Sequence, residues 1–215
     1  MAFATDRDIL VLEPLAFRDL TWAGQVVLSG SVSTAGDAAE IDSSEGDLQT
    51  AAVEAGHVMV VGAVPLEFVE RLGATEATVS LLRAMPDGPT VHPAKLTAAP
   101  FYIATFTPQL DTAHRAVLRM AGIDPDAPAR AGVPGEAQIV NPGSLRRLEA
   151  LLAVHALWAA AGAVAGASEH ALARAAHFAE RIDAERRRVR VELDLDGDGV
   201  ADAARALNAV LMVRG

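Results

Sequence analysis

The densest run of ligand-type side chains is Asp194-Leu195-Asp196-Gly197-Asp198-Gly199-Val200-Ala201-Asp202. Oxygen donors at its first, third and fifth positions, with glycine at the sixth, match the first half of an EF-hand-like loop, and Asp202 falls at the ninth. Such a cluster suits Ca²⁺, a hard cation that takes about six to eight oxygen ligands. The twelfth position is Arg205, where a bidentate glutamate is expected, and the flanks read strand–turn–strand. Two readings follow. Asp194, Asp196, Asp198 and Asp202 form a Ca²⁺ site, or the aspartates and glycines simply supply the geometry of a polar β-turn.

Just upstream stand Arg186, Arg187, Arg188 and Arg190. They could touch a phosphate backbone or an acidic partner. The simpler reading places them at a helix C-terminus, where cations offset the macrodipole, with Asp183, Glu185, Glu192 and Asp194 near enough in sequence to pair. Of the six histidines, His170 and His177 lie two helical turns apart, without the i, i+4 spacing of a zinc protease. His155 reads as a hydrogen-bonded core residue and His114 as a surface one. Asp124 and Asp126 flank a proline and read as turn formers. No nucleophile elbow, P-loop or glycine-rich dinucleotide loop is present, so the chain does not read as an enzyme. Trp22, Trp158, Phe17 and Phe178 are read as core anchors, with a subunit interface as the alternative.

The totals bound these readings. The 215 residues suit one large domain or two small ones, and 51% are hydrophobic. A net charge of −10 argues against a general nucleic-acid binder, which needs a basic footprint. There is no cysteine, which excludes disulfides and thiolate metal sites. One lysine, Lys95, against 17 arginines reads as genome bias. No apolar stretch reaches the roughly 18 uninterrupted residues of a membrane span. The best candidate, 148–167, is broken by Glu149 and His155. No signal peptide is evident, which predicts a soluble, non-exported protein.

The elements that must position these residues follow from punctuation and periodicity. Residues 1–24 read as a short helical segment, with Thr5 as cap and Asp8 as its capping-box partner. Residues 25–106 read as a β-rich insertion. Within it, 26–28, 56–72, 78–85 and 101–106 are strands, Gly62 marks a tight turn, and the Gly-, Ser- and Asp-rich 30–47 is a surface loop. Residues 107–190 read as a helical core. Thr107-Pro108 starts one helix and Gly122 ends it; Asn141-Pro142 starts the longest; Ser168 caps the last. The small residues of 159–167 permit close helix packing. Residues 191–215 read as a C-terminal β-hairpin or arm, pairing 189–193 with 207–213. Segments 31–50 and 124–140 are rich enough in Gly, Pro and acid to order only in a complex. The fold class is thus α+β: a helical bundle core, a small antiparallel β insertion and a C-terminal arm.

The order of LEPLAFRDLTWAG, FTPQLDTAHRAVLRMAGI, NPGSLRRLEALLAVHALWAAAG and VELDLDGDGVADAARALNAVLMVRG resembles the head–tail adaptor (connector) proteins of tailed bacteriophages and gene-transfer agents. The likeness rests on about half of the chain, the helical core and the closing acidic segment. It implies a structural virion protein, assembled in the host cytoplasm and lodged in the neck of the particle. There it would form a ring of twelve subunits that joins the portal at the capsid vertex to a stopper or tail-completion protein. DNA would be passing cargo in its channel, and no membrane is involved. A charge of −10 per subunit would line that channel with like charge, so DNA would not stick to it. The interface residues expected are Arg186, Arg187, Arg188, Arg190, Val191, Leu193, Leu211 and Val213, on an arm that pairs with the portal or an adjacent subunit. The alternatives are another virion component, a tail terminator or decoration protein, or a Ca²⁺-dependent binding module.

Overall fold

A computed structural model describes residues 2–127, 133–164 and 168–207. The chain divides into two compact units, Thr5–Pro108 and a second formed by Met1–Ala4 with Gln109–Gly215.

In the first unit the capping signal at Thr5 is realised. The Asp8 carboxylate accepts the Thr5 amide at 2.7 Å and helix α1 runs Asp6–Leu12, followed by α2 at Ala16–Asp19. Six strands follow: β1 (Gln25–Ala35), β2 (Ala38–Asp42), β3 (Val58–Val61), β4 (Val64–Arg71), β5 (Glu76–Ser80) and β6 (Leu96–Thr105). All pair antiparallel in the order β1-β2-β5-β4-β3-β6, and β6 returns to β1 to close a barrel. Closure leaves no free sheet edge. Its interior is apolar, with Val32, Ile41, Met59, Phe68, Val79 and Ile103 among the buried residues.

This barrel corrects the expected architecture. It is a closed sheet with its own core, and not a small insertion on a helical bundle. The expectation failed over 30–47, whose composition is that of a loop. Its pattern is that of two strands: Val32 and Thr34 on β1, and Ala39 and Ile41 on β2, are buried at every second position. The residues between them face outward and need no bulk. Residues 31–42 therefore lie in the β1–β2 hairpin. Gly36 (φ +68°) and Gly62 (φ +62°) open the two-residue turns of the β1–β2 and β3–β4 hairpins, a position that favours glycine. The strand expected at 78–85 stops at Ser80, whose hydroxyl accepts the Val91 amide at 2.8 Å.

The second unit holds α3 (Thr107–Met120), α4 (Pro142–Val164) and α5 (Glu169–Arg188), with α4 packed along α5. The starts at Thr107-Pro108 and Asn141-Pro142 and the stop at Gly122 (φ +72°) stand where the punctuation put them. Leu110, Val117, Leu148, Val154 and Phe178 fill its interior. Among the described residues, α4 alone has the length and apolarity of a membrane span, and 56% of its most apolar window is buried within the chain. After α5 the backbone enters β7 (Arg190–Leu193), turns through the acidic run and returns as β8 (Ala203–Ala206). The strand that pairs with β7 is thus 203–206, and of the expected 207–213 only Leu207 is among the described residues. Leu207 is buried, while Val210, Leu211 and Val213 lie outside the described residues.

Candidate functional site

The site is the β7–β8 hairpin. β7 forms because Val191 and Leu193 alternate with Arg190 and Glu192, which puts two apolar side chains fully inside the helical unit and two polar ones outside. Its far side is held by an extended segment. The Val140 amide donates to the Glu192 carbonyl at 3.0 Å, and the Asp194 amide to the Gln138 carbonyl at 2.9 Å. Asn141 bridges from α4's start, donating to the Arg190 carbonyl and accepting the Glu192 amide, both at 2.9 Å.

The acidic turn is organised by its own aspartates. Asp194 accepts the Gly197 amide at 2.6 Å and the Gly199 amide at 2.7 Å, and both glycines sit at φ +85°. Those two N–H groups, Gly199 first, hold the Asp194 carboxyl below the usual carboxylate range. Asp202 accepts the Leu195 amide at 2.6 Å, and Asp198 accepts the Val200 amide at 2.7 Å. Carboxylate oxygens of Asp194, Asp196 and Asp202 lie within 4.8 Å of one another. Asp198 does not join them, and Arg205 at the twelfth position donates to the Ala121 carbonyl at 3.1 Å. Three carboxylates could thus hold a hard cation, while the same oxygens already serve as turn-forming acceptors. At the tip, Leu195 and Val200 are 53% and 65% exposed. An acidic turn that presents two apolar side chains is suited to contact with another surface.

The arginines divide. Arg186 reaches the Leu207 carbonyl at 3.4 Å, Arg187 the Asp183 carbonyl at 3.0 Å, and Arg190 the Arg187 and Val189 carbonyls at 3.4 and 3.2 Å. Arg187 and Arg190 reach carbonyls at the end of α5, as cations at a helix C-terminus do, whereas Arg186 reaches the residue that follows β8. Arg187, Arg188 and Arg190 remain exposed. Val191 and Leu193, expected at an interface, have their side chains in the interior of their own unit. Leu211 and Val213 lie outside the described residues.

Two polar clusters escaped the sequence reading. In the helical unit, Glu149 is fully buried. It accepts the Ala4 amide and meets His114 Nδ1, both at 3.1 Å, and His114 Nε2 stands 3.2 Å from Glu136. His114 is buried, and its expected surface position is corrected. The signal was present: a glutamate inside an apolar helix needs a partner. In the barrel unit, buried Glu67 lies 2.8 Å from Arg7 and 2.6 Å from Arg83. No sequence spacing linked those three. Elsewhere Trp158, Phe17 and Phe178 are buried as expected, whereas Trp22 is 53% exposed. His155 meets the Ala175 carbonyl at 3.0 Å; His170 packs edge-on against Trp158, and His177 against Phe178.

No known protein family, curated protein or solved structure matches this chain.

Proposed function

We propose that this chain is a head–tail adaptor, a structural virion protein that forms a ring between the portal and a stopper or tail-completion protein and continues the DNA channel. The observation that carries the reading is the β7–β8 hairpin at the end of a helical unit, with an acidic tip that exposes Leu195 and Val200. A hairpin anchored by Val191 and Leu193 on one face and by 138–141 on its inner edge is a stiff projection. Exposed apolar side chains ringed by charge are the composition of a contact that partners cover. The buried ionisable clusters are tied to structural partners, Glu149 to Ala4 and His114 and Glu67 to Arg7 and Arg83, which supports a role in shape more than in bond-making.

The test is to mix the purified chain with the portal ring encoded in the same genome and to image the product by cryo-electron microscopy. Added ring density under the portal is expected. A chain that stays unbound at every ratio would remove the adaptor reading, and docking that survives deletion of 189–215 would remove the hairpin from it. The convergence of Asp194, Asp196 and Asp202 favours one second reading, a Ca²⁺-dependent binding module. Such a module would remain a monomer and bind Ca²⁺ with measurable heat.

A further inference from the structure

In a chain of net charge −10, one line along α5 is basic. His170, Arg174, His177, Arg181 and Arg188 follow one another at intervals of four, three, four and seven residues, so they share one side of the helix. Glu169, Glu180 and Asp183 fall on other sides of the turn. Glu185, in line with the stripe, is paired with Arg147 at 3.3 Å. Phe178 anchors the middle, with the Arg174 and Arg181 guanidiniums 5.4 and 5.1 Å from its ring centroid. Burial first, then the nearby Arg147 and Arg174, lowers the Arg181 guanidinium from its ordinary value, so like charges crowd there. Among the described residues, neither Arg181 nor Arg188 has a hydrogen bond or an ion pair.

The β7–β8 tip carries the opposite charge. Asp196, Asp198 and Asp202 are exposed there, and among the described residues none of them pairs with an arginine. Leu195 and Val200 stand exposed between them. Arg174, Arg181 and Arg188 repeat about every 10 Å along the helix axis, beyond the reach of one carboxylate. The stripe therefore suits a surface that presents several. Ala173 and Ala184, exposed beside it, leave low apolar ground for branched side chains such as Leu195 and Val200. A DNA backbone is the weaker fit, because the chain as a whole repels phosphate.

We propose that the acidic β7–β8 tip of one copy docks on the basic α5 stripe of a second copy. Tip and stripe are different surfaces, so the contact is head-to-tail, the kind that closes rings. It deepens the adaptor reading by naming what the tip touches, and rests on that reading for ring closure alone; the contact itself stands on the two opposed charge patterns. Charge sets the register and partner, while Leu195 and Val200 supply the apolar area that leaves water.

The full chain is compared by sedimentation velocity with a stripe variant, Arg181→Glu with Arg188→Glu, and a tip variant, Asp196→Lys with Asp198→Lys. A chelator is present, and thermal melts confirm folding. The full chain should self-associate, and less so as salt rises. Each variant alone should associate at least about tenfold more weakly, because like charges then face one another. Arg188→Glu alone, at an exposed position, should weaken association in the same direction. Mixed together, the two variants should recover it: the acidic tip of the first meets the basic stripe of the second, and the reversed tip meets the reversed stripe. The proposal is overturned if the full chain stays a monomer, if either variant associates equally well, or if the mixture recovers nothing. A monomer that binds a labelled DNA duplex through Arg181 and Arg188 would assign the stripe to phosphate and overturn it too. A second arm adds the portal ring. Recovery in the mixture without portal binding would remove only the adaptor reading. A stripe variant that still assembles a complete ring on the portal would remove only the tip-to-stripe contact.

Discussion

Burial governs the behaviour of Glu149. Desolvation raises its carboxyl above the ordinary range, against the opposing pull of the Ala4 amide and His114. A carboxyl raised on folding stabilises the fold fully below its unfolded value, and that contribution is lost as pH rises through the folded value. Glu149→Gln keeps an acceptor for Ala4 and removes the titration. The stability of the wild type relative to this variant should therefore fall as pH rises from about 4 toward neutrality, read by urea unfolding at each pH. Glu149→Leu strands both partners and should cost about 1–3 kcal/mol for each group left unpaired. Asp194 has the opposite sign. Its carboxyl is lowered by the Gly199 and Gly197 amides, so its contribution is present above the unfolded value and lost as pH falls through the folded one. Asp194→Ala should free those two amides to exchange and abolish that acid-dependent loss. Calorimetric titration of the wild type with Ca²⁺ separates the two readings of the turn: heat that disappears in Asp194→Ala assigns a cation, and no heat leaves a hydrogen-bonded turn alone.

At the scale of elements, the β1–β2 hairpin shows why composition misled. Gly30 looks like a loop residue, yet it lies within β1, and a Cβ there would stand 2.3 Å from the Asp42 carbonyl oxygen. It is glycine because another backbone passes close by. Gly30→Ala should destabilise the barrel by about 1–3 kcal/mol through overpacking, seen as a lower melting temperature. An unchanged melting temperature would mean that β1 and β2 do not approach in this way. The helical elements were legible for the opposite reason. Thr107-Pro108, Asn141-Pro142 and Gly122 act through the backbone chemistry of a few adjacent residues, and each boundary was visible without its neighbours. β7 was legible by alternation. Its partner was not, because the hairpin closes through a turn in which Asp194 and Asp202 each capture amides several residues away, and this brings back 203–206.

At the scale of the whole molecule, the barrel has a core of its own. The barrel's interior is made of residues from 28 to 103, all within the unit Thr5–Pro108. A fragment spanning 5–108 should therefore fold alone, with strand-type circular dichroism and a cooperative thermal transition; a fragment without a transition would refute the independence of that core. What the sequence determined by itself was local: where helices α3 and α4 begin, where α3 stops, that a strand follows the arginine run, and that an acidic turn follows the strand. Those features depend on dihedral preferences and side-chain-to-backbone bonds within a few residues. What only the tertiary structure decided was non-local. The barrel closes by pairing β1 with β6, His114 meets Glu149 35 positions away, and Glu67 draws in Arg7 and Arg83. Alternation marks a strand but does not name its neighbour, and a buried charge announces the need for a partner without saying which distant residue will supply it.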